Sequence, residues 1–427
     1  MRHSLQLLAA AGWLVLPCAA VLADEWVIDP SVGARLTHND NINMQINDPI
    51  AVTYYSLSPS AKFSSRTESR DVAMSLGLNA DRYPGDSEYN ATNHNIDLLS
   101  KWTRELDQLS LGASSLRDST LNSELANTAV VTTRRQRTQN RLTGAWQHGL
   151  GSTTFATMTL NGTQVRYASG PNLVDFNDNS AALSLREQLS ERTSLTATYS
   201  YRDYKTLNAN SVGVIGAGMI GSLEYIDQVV NGNMRSNVDT ITIGGQWQYS
   251  ERLAFGLEVG HFQSHNDQAQ TTQRCYYYLG REYCDAPVSG TGSTKPTGST
   301  YAFSSSYQME QGSFGANLNR GLTASGTGTL LRTDTAGLGY SHRHDDRVSI
   351  SLGGSTTRSH YLTNVGAADA RLVSFNTSLT WQLGQQLQLT GGYTHTRQST
   401  VGQQDSARAN LVFASLKWDL EPLSKSR

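Results

Sequence analysis

The chain has 427 residues, a formal net charge of −2, a charged fraction of only 16% and 37 glycines. A soluble protein of this length needs more apolar residues to bury a core, whereas a barrel with a water-filled interior needs them only on its outer face. The slight negative charge argues against a nucleic-acid partner. Beyond the N-terminal segment, the longest nearly unbroken apolar run is Val212 to Ile220, which is too short to span a bilayer as a helix.

The N-terminus has the features of a secretory signal peptide. A basic start at Arg2 precedes an apolar stretch, and the small residue Ala23 offers a cleavage site. We therefore predict a signal peptide over residues 1–23 and one barrel domain over residues 24–427. Because an exported protein meets an oxidising compartment, we expect Cys275 and Cys284 to form a disulfide.

Alternating apolar and polar residues predict a series of about 18 β-strands separated by polar turns. The number is even, as in single-chain bacterial barrels. The predicted strands are 30–38, 53–65, 70–82, 93–103, 108–117, 132–147, 152–166, 178–190, 193–204, 236–249, 252–264, 299–310, 313–321, 330–342, 347–359, 371–383, 387–398 and 408–420.

Five of the seven tryptophans occupy the same place, at the end of an alternating stretch and next to a turn or the chain end. An aromatic residue at the end of the apolar face of a strand is typical of the interfacial girdle of a transmembrane β-barrel. The predicted girdle consists of Trp102, Trp146, Trp247, Trp381 and Trp418.

Connections alternate between short and long. Outer-membrane barrels keep short turns on the periplasmic side and long loops outside, so the strands that end in tryptophan run towards the periplasm. The fold class is thus an all-β, transmembrane, antiparallel up-and-down barrel of the bacterial outer membrane. A soluble β-sandwich, which also alternates, is the alternative.

The face opposite the apolar one is rich in small hydroxyl and amide side chains and carries a few cations. Arg135, Arg137 and Arg141 share one predicted strand face, where they either attract anions or pair with Asp97, Asp118 or Glu187. The full set of candidates for the solute path is Lys62, Lys101, Arg135, Arg137, Arg141, Arg186 and Arg202.

The remaining motifs carry little chemistry. The stretch Gly216 to Gly221 matches a dinucleotide fingerprint but lies in a long loop without the strand–helix unit that the mechanism needs. The apolar run that includes it is interpreted first as a segment that packs against neighbouring loops. The alternatives are that it folds inward as a constriction or docks under the loop that holds Cys275 and Cys284. His342, His344, Asp345 and Asp346 read as a solvated turn. We predict no catalytic residues, metal or cofactor, with an outer-membrane hydrolase as the enzymatic alternative.

Three segments near the N-terminus carry a resemblance. They are Trp26 to Val32, Thr37 to Asn43 and Leu57 to Ala61, in which a proline-containing first strand, an Asp-Asn-hydrophobic loop and a proline-containing second strand follow one another. This order resembles the opening of the β-barrel porins found with exopolysaccharide and PEP-CTERM/exosortase loci. The resemblance implies an outer-membrane port for an extracellular polysaccharide and transfers no catalytic residues.

The sequence therefore predicts an outer-membrane conduit for polysaccharide export. A porin for small polar solutes is the alternative, and a surface adhesin that uses loops 205–235 and 265–298 is the third possibility. The expected partners are outer-membrane lipid, the barrel-assembly machinery, the transported polysaccharide or small polar solute, and periplasmic components of polysaccharide export.

Overall fold

The computed structural model describes residues 25–130, 134–168, 173–207, 213–220, 223–278, 281–362, 369–400 and 405–425. The predicted signal peptide lies outside these ranges. Within them the chain is almost entirely β-strand, with one α-helix and one short 3₁₀ helix at Ser87–Tyr89. The α-helix, α1, spans Thr120–Thr128.

The strands are β1 (Trp26–Asn39), β2 (Val52–Arg66), β3 (Arg70–Arg82), β4 (Ala91–Thr103), β5 (Asp107–Ser119), β6 (Gln136–Gly149), β7 (Thr154–Tyr167), β8 (Asp175–Ser190), β9 (Thr193–Leu207), β10 (Gly213–Ile220), β11 (Leu223–Gln248), β12 (Leu253–Tyr278), β13 (Arg281–Cys284), β14 (Val288–Thr294), β15 (Thr297–Met309), β16 (Gly312–Ala324), β17 (Leu330–Arg343), β18 (Val348–Tyr361), β19 (Ala370–Gln382), β20 (Leu387–Thr400), β21 (Ser406–Asp419) and β22 (Leu423–Lys425).

Eighteen of these strands form a closed antiparallel barrel. Each barrel strand pairs with the barrel strands before and after it in the chain, and β1 closes the ring by pairing with both β2 and β21. All 18 predicted strands are present, so the predicted fold class and strand number are confirmed. Closure leaves no sheet edge, which matters because unpaired backbone groups are costly in lipid.

The other four strands, β10, β13, β14 and β22, lie outside the ring. β11 and β12 are 26 residues long and continue past the barrel as an extended hairpin, to which β10, β13 and β14 add. Of the alternatives for the apolar run at 212–220, an inward constriction is wrong for its described part, because Gly213–Ile220 packs against a neighbouring segment by pairing with β11 as a strand. Regular pairing satisfies the backbone of this segment along one side.

A disulfide joins Cys275 near the end of β12 to Cys284 in β13, with their Cα atoms 4.0 Å apart. The two residues are directly opposite in the register of the β12–β13 pair. Cys275 is buried. The bridge therefore stabilises the outer end of the β12 extension and not the barrel wall.

The exterior of the barrel is an apolar band. Leu142, Ile241 and Leu257 are each more than half exposed, at 57%, 61% and 57% of their surface. Trp146, Trp247, Trp381 and Trp418 are also exposed, and all lie at the short-turn end of their strands. The indole of Trp146 donates a hydrogen bond to Asp107 beside the turn, at 3.0 Å. A closed barrel with such an exterior is an outer-membrane protein that faces lipid.

The connections fit this orientation. Those between β2 and β3, β4 and β5, and the corresponding later pairs are short, whereas those at the opposite end are longer. The long connections therefore lie on the extracellular side. Among the described residues, no helix is long and apolar enough to cross a membrane.

Asp40 and Asn41, in the loop after β1, strengthen the seam of the barrel, which is the place where β1 pairs with β21. Asp40 accepts two hydrogen bonds from Asn410 of β21, from its backbone N–H and its side-chain amide, both at 2.7 Å. Asn41 is buried and donates to the carbonyls of Gln45 and Arg408, at 2.7 and 2.9 Å. These residues of the Asp-Asn-hydrophobic motif thus hold the first strand to the last.

The apolar band gives a direct test. We expect Val259→Arg to lower the free energy of unfolding by about 2–4 kcal/mol, because Val259 is exposed and opposite Ile243, four residues from the girdle residue Trp247, and a cation near the middle of the band must leave water. The measurement is equilibrium folding into lipid vesicles. Glu258→Arg, one position along the strand on the opposite face, is the matched control and should change folding little. Equal stability of the two variants would contradict the outward assignment of Val259.

Candidate functional site

The α-helix forms within the connection between β5 and β6. The hydroxyl of Ser119 caps its N-terminus by accepting from the N–H of Leu121. Its C-terminus is closed by Ala129 in the left-handed region, at φ 57°, where the N–H of Ala129 donates to the carbonyl of Leu125 at 2.8 Å. These caps define a helix of nine residues.

The helix crosses the inside of the barrel. It starts from β5, yet the hydroxyl of Thr357 in β18 donates to the carbonyl of Ala126 at 3.3 Å. The amide of Gln398 in β20 donates to the carbonyl of Ala129 at 2.8 Å. Because β18 and β20 lie on the far side of the ring from β5, α1 bridges the lumen near its extracellular end.

A second connection folds into the lumen from another direction. The loop between β16 and β17, residues 325–329, reaches β9, where the hydroxyl of Tyr204 donates to the carbonyl of Ser325 at 3.1 Å. Arg202 donates to the carbonyl of Leu322 at 2.6 Å. The N–H of Val174 donates to the carbonyl of Gly326 at 2.7 Å.

Glu124 joins the two inward segments. Its side chain is buried, and its Oε1 accepts from the N–H of Gly326 at 2.6 Å and from the hydroxyl of Ser325 at 3.3 Å. Its Oε2 accepts from the hydroxyl of Tyr167 at 2.7 Å. A Cβ at position 326 would lie 2.5 Å from the Tyr167 hydroxyl and 2.9 Å from Glu124 Oε1, so a residue larger than glycine would have to displace this junction. One carboxylate therefore holds both segments and the wall together.

Apolar packing closes the side of the lumen next to the second loop. Leu330 packs with wall residues of β7 to β12, including Val165, Phe176, Tyr204 and Phe262. All of these residues are buried. Since this packing fills the space between the loop and the β7–β12 wall, solute has to pass elsewhere.

The open space lies on the other side of α1, towards the barrel seam. There, a cavity of about 770 Å³ separates the helix from the wall formed by β1 to β4, β20 and β21. Its lining is mainly hydroxyl, amide and aromatic, and includes Tyr54, Asn93, Asn122, Arg134, Arg135, Thr394 and Thr396. This is the candidate passage.

Tyrosines and an arginine shape the mouth of this passage. The rings of Tyr54 and Tyr83 stack with centroids 4.5 Å apart. The guanidinium of Arg134 lies 5.2 Å from the ring centroids of both Tyr83 and Tyr89 and donates to the Tyr83 hydroxyl at 3.0 Å. Burial raises the pKa of Tyr83 to about 12, so the phenol stays neutral. Among the described residues, Arg134 Nη1, Arg135 Nε and Asn93 Oδ1 are buried without a hydrogen-bond partner.

Arg137 and Arg141 share the lumen face of β6 as predicted, whereas Arg135 lies before the strand, and the three arginines have different surroundings. Arg135 precedes β6 and lines the cavity, where its backbone N–H donates to the hydroxyl of Thr120 at 3.0 Å. Arg137 is buried against Asp118 at 3.3 Å, so it has a structural pairing. Arg141 is exposed on the lumen wall, where its Nε donates to the hydroxyl of Thr163 at 3.3 Å. The predicted strand began too early, at 132, since β6 begins at Gln136.

The other candidate cations are spread along the wall. Lys62 and Arg141 border a second cavity of about 450 Å³, which lies against β1 to β6. Arg202 forms a two-point ion pair with Asp178, both distances being 2.7 Å. Arg186 donates to Gln188 near a periplasmic turn, and Lys101 lies opposite Ser110 near another. These residues therefore do not form one site.

Sequence reasoning missed Glu124, the loop at 325–329 and Arg134. A signal for the helix was present, because Ser119 is a good N-cap and Leu121 and Leu125 have helical spacing in a gap between predicted strands. No comparable signal marks Glu124 as the residue that joins two connections 200 positions apart.

The turn after β17 is held by hydrogen bonds from its backbone to the Asp345 carboxylate. Asp345 accepts from the backbone N–H groups of Arg347 and Val348, both at 2.7 Å. These hydrogen bonds hold the pKa of Asp345 below its usual value. Within the described ranges, no three His, Cys, Asp or Glu side chains are grouped as metal ligands.

No protein-family model matches the chain. No curated protein matches it either. Among solved structures, the chain is similar to the ferric-catecholate import receptor Fiu of E. coli K12 in its open form, at 9% identity and a TM-score of 0.46, over 91% of this chain and 82% of that chain. It is similar to OccAB3 of Acinetobacter baumannii at 9% identity and a TM-score of 0.42, over 93% and 99%. It is similar to OpdQ of Pseudomonas aeruginosa at 7% identity and a TM-score of 0.44, over 93% of this chain and 98% of that chain. Similarities this distant assign no family, and the fold rests on the strand pairing.

The Glu124 junction gives the second test. We expect Glu124→Ala to raise single-channel conductance, because it removes three hydrogen bonds between α1, the loop and the wall and leaves Gly326 N–H unpaired. The local cost should be about 1–3 kcal/mol. The barrel itself should still fold, because its strand ladder is unchanged. The measurement is single-channel recording in planar bilayers.

Glu258→Ala is the matched control, since it removes an exposed wall carboxylate from the same barrel without a contact to α1. The control should conduct like the unmodified protein. Unaltered conductance and current noise in Glu124→Ala would show that α1 does not limit the passage.

Proposed function

We propose that this barrel is an outer-membrane conduit for polyhydroxylated solutes, and that its task is the export of an extracellular polysaccharide. The observation that carries the proposal is the cavity beside α1, which offers hydroxyl, amide and aromatic groups along the open side of the lumen. Hydroxyl groups of a sugar can exchange hydrogen bonds with such a wall while the chain slides.

The electrostatics of the lumen support the same proposal. Buried or half-buried cations such as Arg137 and Arg202 are paired with acids, so they supply little net field. Arg135 and Arg141 have no paired acid among the described residues. Arg134 and Arg135 share the lining of the cavity with Asp81 and Glu88, so its few charges are of both signs, which suits a polymer that must not stick.

The resemblance of the first strands to exopolysaccharide-associated porins supports export over uptake. Periplasmic export components, and the barrel-assembly machinery during insertion, are the partners that this function requires.

A porin for small polar solutes is the second candidate, because the cavity also accommodates such solutes. The extended β11–β12 hairpin, which rises past the barrel and carries the disulfide, favours a surface contact as a further role.

The two unpaired arginines test the conduit. We expect Arg135→Gln combined with Arg141→Gln to lower the chloride-to-potassium permeability ratio, because both guanidinium groups face the water-filled path. The measurement is the reversal potential in planar bilayers under a salt gradient. Arg192→Gln, in a periplasmic turn, is the matched control. An unchanged ratio in the double variant would remove both arginines from the path.

The task of the conduit needs a cellular test. Deletion of the gene should retain the polymer inside the cell envelope, and expression of the unmodified chain should restore its release. The measurement is the extracellular and envelope-bound carbohydrate of matched cultures. Normal extracellular polymer in the deletion strain would overturn export and favour the porin for small solutes.

A further inference from the structure

Arginines meet face to face on the outside of the barrel near its extracellular end. In the strand register, Arg358 of β18 is directly opposite Arg371 of β19. In the same way, Arg397 of β20 is directly opposite Arg408 of β21. Because Arg371 is opposite Ser399, Arg397 is its diagonal neighbour two positions away. Four arginines therefore form a continuous cluster, the arginine patch, across four strands.

The arginine patch faces outwards and not into the lumen. Arg397 is directly opposite Val373, which belongs to the exposed apolar band. Residues opposite each other in a sheet share a face, and residues two apart on one strand do so as well, which places Arg371 with Val373. All four arginines are exposed.

The height of the patch on the barrel follows from strand geometry. On β19, Arg371 is ten residues from the girdle residue Trp381. At about 3.4 Å per residue and a tilt of about 35–45°, ten residues correspond to a height of roughly 24–28 Å. The apolar band of such barrels is about 25 Å tall. The same spacing separates Arg408 from Trp418 on β21. The patch therefore lies at the outer edge of the band, where lipid headgroups begin.

Acidic residues of the protein neutralise the positive charge of the arginine patch only in part. Arg358 contacts Asp369 at 3.5 Å, but Asp369 also binds His360 at 2.6 Å. Asp334, directly opposite Arg358 on the other side, is engaged by Arg320. The described contacts of Arg371 and Arg397 are neutral, to the hydroxyls of Thr356 and Ser406.

Like charges directly opposite each other on a sheet destabilise the pairing. A planar guanidinium group binds phosphate through two parallel hydrogen bonds, and an anion between two arginines removes their repulsion. The position of the patch at the outer headgroup level decides which anion is available. The outer leaflet of this membrane presents phosphorylated glycolipids.

We propose that the arginine patch on β18 to β21 binds the phosphorylated headgroup of an outer-leaflet glycolipid. The lipid bridges Arg371 to Arg397 and fixes the seam side of the barrel in the membrane. This site is separate from the passage through the lumen, because the two lie on opposite faces of the same strands.

The test compares the full-length protein with Arg371→Gln combined with Arg397→Gln. The probe is deep-rough lipopolysaccharide with phosphorylated lipid A, added to the protein in a neutral detergent. We expect the double variant to bind this lipid about thirtyfold more weakly, since two arginines that each contribute about 1 kcal/mol near an anionic lipid surface are lost. Dephosphorylated lipid A should bind both proteins equally weakly.

Thermal unfolding, measured with and without the lipid, is a second measurement. It separates lipid binding from any effect of the substitutions on folding. Without the lipid, the double variant should unfold at the same or a higher temperature, because the repulsion between arginines is relieved. With the phosphorylated lipid, the unmodified protein should gain more stability than the variant. Arg104→Gln combined with Arg192→Gln, in periplasmic turns, is the matched control and should behave like the unmodified protein.

Three results would overturn the proposal. These are equal lipid affinity of the double variant and the unmodified protein, equal affinity for phosphorylated and dephosphorylated lipid, and an equal gain in unfolding temperature. Channel conductance of the double variant should be normal, so failure of this proposal leaves the conduit function untouched.

Discussion

The constraint on which the structure depends is that every backbone N–H and C=O at membrane depth must be paired inside the protein. The chain meets it by closing 18 strands into a ring through the β1–β21 pair. The seam is the one place where the ring joins residues far apart in the chain, and it carries extra fastening. Asp40 and Asn41 bond to β21 with their side chains, beyond the strand register.

Once the ring is closed, its inside is a water-accessible space that the protein must divide. The chain does this with α1 and the loop at 325–329, which enter from different directions and meet at Glu124. A buried carboxylate is costly unless it is hydrogen-bonded, so this junction has a defined geometry. The apolar packing around Tyr204 and Leu330 fills one side, and the polar cavity remains on the other.

Charge is organised differently on the two faces of the wall. Inside, Arg137 and Arg202 pair with Asp118 and Asp178, which keeps the field in the lumen low. Outside, at the extracellular edge of the apolar band, Arg371 is opposite Arg358 and Arg397 is opposite Arg408. An internal pairing suits a passage for solutes, and an unbalanced external patch suits a lipid that brings its own negative charge. The same strands thus serve transport on one face and anchoring on the other.

The sequence by itself determined the barrel and the 18 strands, and it predicted their orientation and a tryptophan girdle. Period-two alternation is a local property, and each strand of a membrane barrel needs only a lipid-facing and a lumen-facing side. The sequence also pointed to Arg135 and Arg141 as lumen residues. What only the tertiary structure decided is which connections enter the lumen and which side chains meet there. Glu124, Tyr167 and Gly326 come from three separate connections or strand ends, and their contacts depend on the curvature of the closed ring. The arginine patch likewise follows from the register between strands, because alternation fixes the face of each arginine but not the residue that lies opposite it.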